Sequence, residues 1–385
     1  MRGNCLSQCK FKILECRVGG ENMDRQEELL YWLWLCNMEG IGHRTIDMLL
    51  GQYKHPRQLY QAKESELSCW LKGRKLTQFL KSRDMDRIKR LMERLAKQNV
   101  RFLHRQHEDY PNSLRHLEDA PFGIYVRGAL PPKGARSIAI VGARQADEYG
   151  CSVASYFARE LSNKGICVIS GLAYGVDSAA HKGAIEASGY TLGILGCGIN
   201  ICYPKENASL FRAVEKQGGI LSEYGLNVPP KAGLFPLRNR LIAAMADGIL
   251  VTQARERSGS LITVDQGLEQ GKDIFSVPGR IGDALSEGCN SLIQSGAKLV
   301  TGVWDILEEW GWEKKIEQKI LNHSDITLVN IEKMVYSVLG FEAKYIDIII
   351  EETGLSVAQL LPVLIELEQR KLIRQPRPNY YCVCV

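Results

Sequence analysis

None of the chain's 12 cysteines stands in a C-x-x-C pair, which removes the usual zinc and redox spacings. Scattered from Cys5 to Cys384, they read as free thiols of a reducing compartment. No apolar run approaches the roughly 20 residues of a membrane helix, so a cytoplasmic protein without membrane contact is expected. There is no G-x-x-x-x-G-K-[ST] loop, and Gly196-Cys197-Gly198-Ile199-Asn200-Ile201 lacks the third glycine of a dinucleotide fingerprint. ATP hydrolysis and nicotinamide chemistry are both disfavoured, and neither a cofactor nor a metal is expected. Internal repeats and low-complexity tracts are missing as well.

What is there suits a soluble globular protein: 385 residues, 45% hydrophobic and 24% charged. That length exceeds one ordinary core and predicts two or three domains. The net charge of +5 is small but uneven: Lys72 to Arg105 carries twelve bases against Asp84, Asp86 and Glu93. Such a stretch attracts phosphate or simply forms a solvated helix face, and both readings stay open. Residues 1–22 hold three cysteines and no signal-peptide pattern. They read as a non-native leader ahead of a start at Met23, or as a disordered tail.

Apolar positions at helical spacing from Glu27 to Leu50 are broken by Gly40-Ile41-Gly42. This is helix, tight turn, helix, either an ordinary hairpin or a helix-hairpin-helix whose turn presents amides to a phosphate. Residues 23–105 are expected to form an all-α domain of that SAM-like kind. From 106 to 312 the period changes. Strands are expected at 137–141, 166–170, 191–195, 219–222, 248–252 and 273–277, with helices between most of them. The alternation predicts a Rossmann-like, doubly wound, mostly parallel sheet that binds ligands beyond the carboxyl ends of its strands. Residues 313–328 read as a polar linker. In 329–385, helical patterns at 331–339, 345–352 and 357–370 and a strand-prone tail from Tyr380 to Val385 follow the winged-helix order.

The loops that carry chemistry fall where strands end. Gly142-Ala143-Arg144 closes the first strand and Ser170-Gly171-Leu172-Ala173 the second. Small residues there let amides approach an anion, and the next helix dipole favours it. Arg144 adds a bidentate phosphate donor. Asp177 and His181, four apart on one helix face, can be read as an acid–base pair, but an acid at a helix start more often caps it. Cys197 has no identifiable base partner and is expected to be buried. Three further loops, 203–207, 235–240 and 258–263, bring Lys205, Asn207, Arg238, Asn239, Arg240, Ser258, Gly259 and Ser260. Cations, amides and hydroxyls with few paired acids suit a phosphate backbone and not hydrolysis.

In order, these loops resemble the DprA/Smf family closely. The runs Ile140–Arg144, Ser170–Ala173, Asp177 with Ala180-His181, Gly196–Gly198 and Tyr203-Pro204 carry the resemblance. So do Ser222-Glu223, Phe235-Pro236 with Arg238–Arg240, Ser258–Thr263 and Val277–Gly279. It is strong over about 110–300 and looser in the terminal domains. It implies a Rossmann-like domain that holds single-stranded DNA, forms a homodimer and helps load the RecA recombinase during natural transformation, with no catalytic activity. By that resemblance Arg144 and Lys205 bind DNA phosphates, helped by Asn207, Arg238 and Arg240, and Ile293 and Leu299 lie in a dimer interface. Tyr174 departs from the pattern, standing where the family often has arginine; an aromatic there stacks on a base instead.

Two other classes remain as alternatives. One is a nucleotide- or phosphoribosyl-processing enzyme on the same fold, since fold alone does not decide function. The other is a transcription regulator acting through its C-terminal domain. Against it, Val357 to Leu367 has no Lys or Arg, carries Glu366 and contains Pro362, which is expected to interrupt the helix. Residues 329–385 hold seven acids and six bases, so a protein partner is expected there and not a DNA groove.

Overall fold

The computed structural model describes residues 21–312, 330–340, 342–370 and 372–383. Residues 1–20 of the expected leader and the expected linker 313–328 lie outside the described residues. The chain forms two compact units, the first running to Gln98 and including His104–Glu108, the second holding Asn99–Leu103 and the chain from Asp109 on.

The first unit is helical: α1 (Glu21–Cys36), α2 (His43–Tyr53), α3 (Pro56–Gln61), α4 (Glu64–Leu67), α5 (Arg74–Ser82) and α6 (Met85–Lys97). Leu33, Trp34 and Leu35 are fully buried. The Trp34 ring meets Phe79 edge-on at 5.5 Å and donates its indole N–H to Ser82 at 3.0 Å, so this large buried side chain also has its polar atom satisfied. Gly40, at φ +75°, makes the turn into α2, which starts on Gly42. Most of the basic stretch is the outer face of α5 and α6: Phe79, Ile88 and Leu95 point inward while Arg74, Lys75, Lys81, Arg87, Lys89, Arg90, Arg94 and Lys97 are exposed. That is the amphipathic pattern of a helix packed on one side.

The second unit begins with β1 (Arg101–His104), α7 (Asn112–Arg115), β2 (Gly123–Gly128), β3 (Ser137–Val141), α8 (Glu148–Asn163), β4 (Cys167–Ser170), α9 (Val176–Glu186) and β5 (Thr191–Leu195). It continues with α10 (Ala208–Gln217), β6 (Gly219–Ser222), α11 (Leu234–Met245), β7 (Gly248–Val251) and α12 (Leu261–Glu269). Then come β8 (Asp273–Ser276), α13 (Glu287–Gln294), β9 (Lys298–Leu299) and α14 (Val303–Glu309). The nine strands order β1-β2-β6-β5-β4-β3-β7-β8-β9. From β6 to β9 neighbours run parallel, while β2 pairs antiparallel with β6.

The central strands are apolar runs because both faces are covered. In β3, Ala139 and Val141 join a core with α11 residues such as Leu241 and Ala244, while Ile138 and Ile140 join one with Phe157 of α8 and Ala180 of α9. The chain leaves β3 toward β4, β5 and β6 on one side and returns to β7, β8 and β9 on the other. The carboxyl ends of β3 and β7 therefore meet at the switch point where such sheets open a crevice.

The C-terminal elements form a winged helix: α15 (Asn330–Val338), β10 (Lys344–Tyr345), α16 (Ile346–Thr353), α17 (Val357–Gln369), β11 (Ile373–Arg377) and β12 (Tyr380–Val383). The sheet order is β10-β12-β11. Val335, Ile349, Leu360, Leu364 and Leu367 are its buried centre. Pro362 does not interrupt the helix as expected. α17 runs unbroken through it, and since Pro362 is exposed, the carbonyl left without its intrahelical donor lies on a face that water reaches. Arg374 of β11 reaches Glu148 at 3.2 Å and Ser152 at 2.6 Å, both on α8.

Candidate nucleic-acid interface

At the switch point lies a cavity of about 600 Å³ lined by the loops after β3 and β7, the start of α11 and the turn into α12. Its sequence origin is the small residues at the strand ends. A Cβ on Gly142 would stand 2.7 Å from the Gln253 carbonyl and 2.6 Å from the Val176 side chain, so only glycine lets these two loops close. The Gln253 carbonyl accepts from the Ala143 amide at 2.7 Å and its side chain accepts from Asp147 at 3.1 Å. One residue after β7 thus sets the loop that presents Arg144.

Arg144 is exposed on that loop, its guanidinium 5.4 Å from the centre of the Phe235 ring, within cation–π range. Tyr203 packs against the same ring, with ring centres 5.4 Å apart and a tilt of 31°. Across the cavity, the Ser258 and Ser260 hydroxyls meet at 2.7 Å, and Asn239 donates to the Gly259 carbonyl at 3.3 Å. Of the residues expected from sequence, Gly142, Arg144, Arg238, Asn239, Ser258, Gly259 and Ser260 line this one cavity.

The others are placed differently. Ser170 is fully buried and donates to the Ile140 carbonyl at 2.7 Å. The Gly171 amide donates to Asp177 at 3.1 Å, as the Ala173 amide does at 3.3 Å. The expected open anion-binding loop after β4 is therefore already filled by the protein's own carboxylate, and Ser170 and Gly171 support the floor instead of facing a ligand. The loop after β3 also lacks an open helix end, because the Asp147 side chain caps α8 by accepting from the Gly150 amide at 2.8 Å. Asn207 braces the structure, donating to the Leu172 carbonyl at 3.0 Å and Ser178 at 2.9 Å. Lys205 is exposed on the 3-10 turn Lys205–Asn207, outside the cavity lining. Arg240 is turned away: it is buried and held by Glu223 at 2.7 Å and Asp119 at 2.9 Å.

Arg238 is the cation of the floor. Only 4% exposed, it donates to the Gly171 carbonyl at 2.9 Å and to the Ile194 carbonyl. Burial pulls its pKa down to about 10, opposed by the nearby Asp177 carboxylate. Burial raises Asp177 in turn, against the pull of Arg238 and the loop amides. Their mutual attraction keeps both charges tolerable out of water.

The possible acid–base pair is not assembled. His181 is fully buried with Nδ1 2.7 Å from Thr191 Oγ1, and burial followed by the Arg238 charge lowers its pKa to about 3. Asp177 is spent on the loop amides. Cys197 is buried and pushed up to about 11 by that burial, the wrong direction for a nucleophile. Among the described residues, no group of three or more His, Cys, Asp or Glu could hold a metal ion.

Sequence reasoning missed Arg255, an exposed cation of the lining, and the aromatic pair Tyr203 and Phe235. Arg255 had a local signal, since Arg255-Glu256-Arg257 directly precedes the Ser258 turn. Tyr174 is exposed and donates to Glu206 at 2.5 Å. This bond holds the Glu206 carboxyl below its usual range and raises the tyrosine.

Comparison with known proteins adds the following. The family model described as DNA recombination-mediator protein A matches residues 101–311, and the DprA winged helix domain model matches 323–375. The chain is 37% identical over 269 residues to protein Smf of Escherichia coli, covering 68% of this chain and 71% of that protein. To the DNA processing protein DprA of Streptococcus pneumoniae it is 40% identical over 201 residues, 52% of this chain and 71% of the relative. The X-ray structure of DprA from Streptococcus pneumoniae matches with a TM-score of 0.65 at 32% identity, covering 73% of this chain and 97% of that one.

Proposed function

Because the chain belongs to the DprA/Smf family of DNA recombination mediators, we propose that the switch-point groove holds single-stranded DNA by its phosphate backbone and does not cut it. The supporting observation is the charge of the groove. Arg144, Arg238 and Arg255 line it, and its one acid among the described residues, Asp177, is buried and already occupied by loop amides and Arg238. Phosphates meet cations with no competing exposed carboxylate in the lining, and the exposed Tyr203 beside Phe235 offers a face to an unstacked base. Lys205 and the Tyr174 loop stand close by, linked through Glu206. A duplex presents its bases stacked inside and cannot use the aromatic face, so single strands bind more tightly.

Loading of a RecA-type recombinase onto the held strand, and a homodimer through Ile293 and Leu299, complete the proposal. Leu299 is 46% exposed on the short edge strand β9 and Ile293 is half-buried on α13. An apolar side chain left exposed at a sheet edge fits a two-fold contact that sets two grooves side by side. The test uses the full chain with labelled single-stranded and duplex oligonucleotides over a salt series, with nucleotide hydrolysis assayed alongside. Tighter, salt-sensitive binding of single strands without hydrolysis is expected. Equal affinity for both forms, or strand cleavage, would overturn the reading.

A further inference from the structure

The helix-turn-helix of the winged domain carries a surface that DNA binding does not explain. Val357, Leu361 and Ile365 of α17 follow one another at four-residue intervals, so they share one helix face. They are 51%, 38% and 53% exposed. Ala358 and Pro362, also exposed, widen the face, while Leu360, Leu364 and Leu367 on the opposite side fill the domain core. α17 is therefore apolar on both sides. Single exposed aliphatics are ordinary, but a row along the helix that a winged domain normally offers to a ligand marks a contact surface.

Charge identifies what fits it. From Ile346 to Gln369 there are five acids, Asp347, Glu351, Glu352, Glu366 and Glu368, and no Lys or Arg. Lys344 answers one of them, reaching Glu352 at 2.6 Å. Glu366 borders the apolar row, and Glu368 stands at its C-terminal end, three residues beyond Ile365. A nucleic acid would bring phosphates against carboxylates with no counterion to release. A second copy of the same face would bring acids and no cation to the contact, since a two-fold contact uses one patch twice. A partner segment that is apolar on one side and basic at its edges satisfies both features.

We propose that the α17 face docks an amphipathic protein segment with basic flanks, laid against Val357, Leu361 and Ile365 with its cations toward Glu366 and Glu368. The contact is of the helix-in-groove kind, in which aliphatic anchors give affinity and edge charges give choice of partner. None of these α17 residues lines the groove at the sheet ends, so the two surfaces do not share a residue.

The probe is a labelled synthetic helix of about five turns, leucine on one face and lysine at its borders, with a second peptide carrying glutamate in place of lysine. Binding of each to the full chain is read by fluorescence anisotropy. The lysine peptide is expected to bind at least about tenfold more tightly than the glutamate peptide, a difference of roughly 1.4 kcal/mol. Leu361→Gln with Ile365→Gln should abolish this binding, while affinity for a single-stranded oligonucleotide stays unchanged. That second readout separates this proposal from the groove, and an unchanged circular dichroism spectrum and thermal midpoint show that the winged domain, which has its own core, is still folded. Glu366→Lys with Glu368→Lys should reverse the preference between the peptides. Equal affinity for both peptides, full binding by the glutamine variant, or displacement of the lysine peptide from α17 by duplex DNA would each overturn the proposal.

Discussion

The sheet-end groove and the winged helix are both surfaces that nucleic-acid-binding proteins commonly use, yet they carry opposite chemistry. In the groove, the exposed cations Arg144 and Arg255 face solvent and the acid is hidden. In the helix-turn-helix, five acids and an apolar row face outward, and the segment from Ile346 to Gln369 carries no Lys or Arg of its own. The difference teaches that fold names a surface and charge decides what it can meet: a recognition helix without a cation is poorly suited to phosphate, whatever its position. It also shows where the groove hides its cost. Arg238 and Asp177 are both out of water under the floor, while Arg144 stands above it with its ring partner.

The largest effect should come from the hidden pair. Arg238→Met leaves the Asp177 carboxylate buried without its cation and the Gly171 and Ile194 carbonyls without a donor. Leaving a buried carboxylate uncompensated costs about 3–5 kcal/mol, readable as a lower urea midpoint. Adding Asp177→Asn should recover part of the loss. If Arg238→Met has no effect on stability, the floor is not held by charge.

Next in size are the exposed cations. Arg144→Ala and Lys205→Ala should each weaken single-strand binding about tenfold or more, since a charged hydrogen bond contributes roughly 1.5–3 kcal/mol. Circular dichroism should show the fold unchanged. Retained affinity in the double variant would move the site elsewhere.

The last effect, the smallest for each step of the titration, concerns pH. His181 is held neutral in the fold, with its pKa lowered from 6.5 to about 3. The unfolded chain therefore takes up a proton that the folded one refuses, and stability falls as pH drops below 6.5 toward 3, by at most about 1.4 kcal/mol per pH unit from this group. His181→Gln should flatten that part of the stability profile measured by denaturation from pH 7 down to 4. An unchanged slope would mean that His181 is not shielded.

Much of the architecture was legible. The six central strands were expected within a residue or so of where they lie, because a strand covered on both faces must be a continuous apolar run such as Ser137–Val141. The edge strands β1, β2 and β9 were not, since an edge is shorter, mixed in character and defined by its neighbour. The ordered loops also gave the cavity. What sequence could not say is which polar groups would be consumed internally. That Asp177 takes the Gly171 and Ala173 amides, or that Arg240 turns to Glu223 and Asp119, depends on distances between residues far apart in the chain. Pro362 was misjudged for a local reason: a proline whose missing bond falls on an exposed face does not stop a helix that packs well on the other.

The contrast between the two surfaces is tested most directly by single-strand affinity against salt for three full-length proteins: wild type, Arg144→Ala with Lys205→Ala, and Leu361→Gln with Ile365→Gln. With each phosphate contact setting about 0.7 of the logarithmic salt slope for a single strand, the groove variant should lose about 1.4 from the slope while the α17 variant matches wild type. A groove variant with the wild-type slope, or an α17 variant that loses it, would contradict the placement of DNA at the ends of β3 and β7.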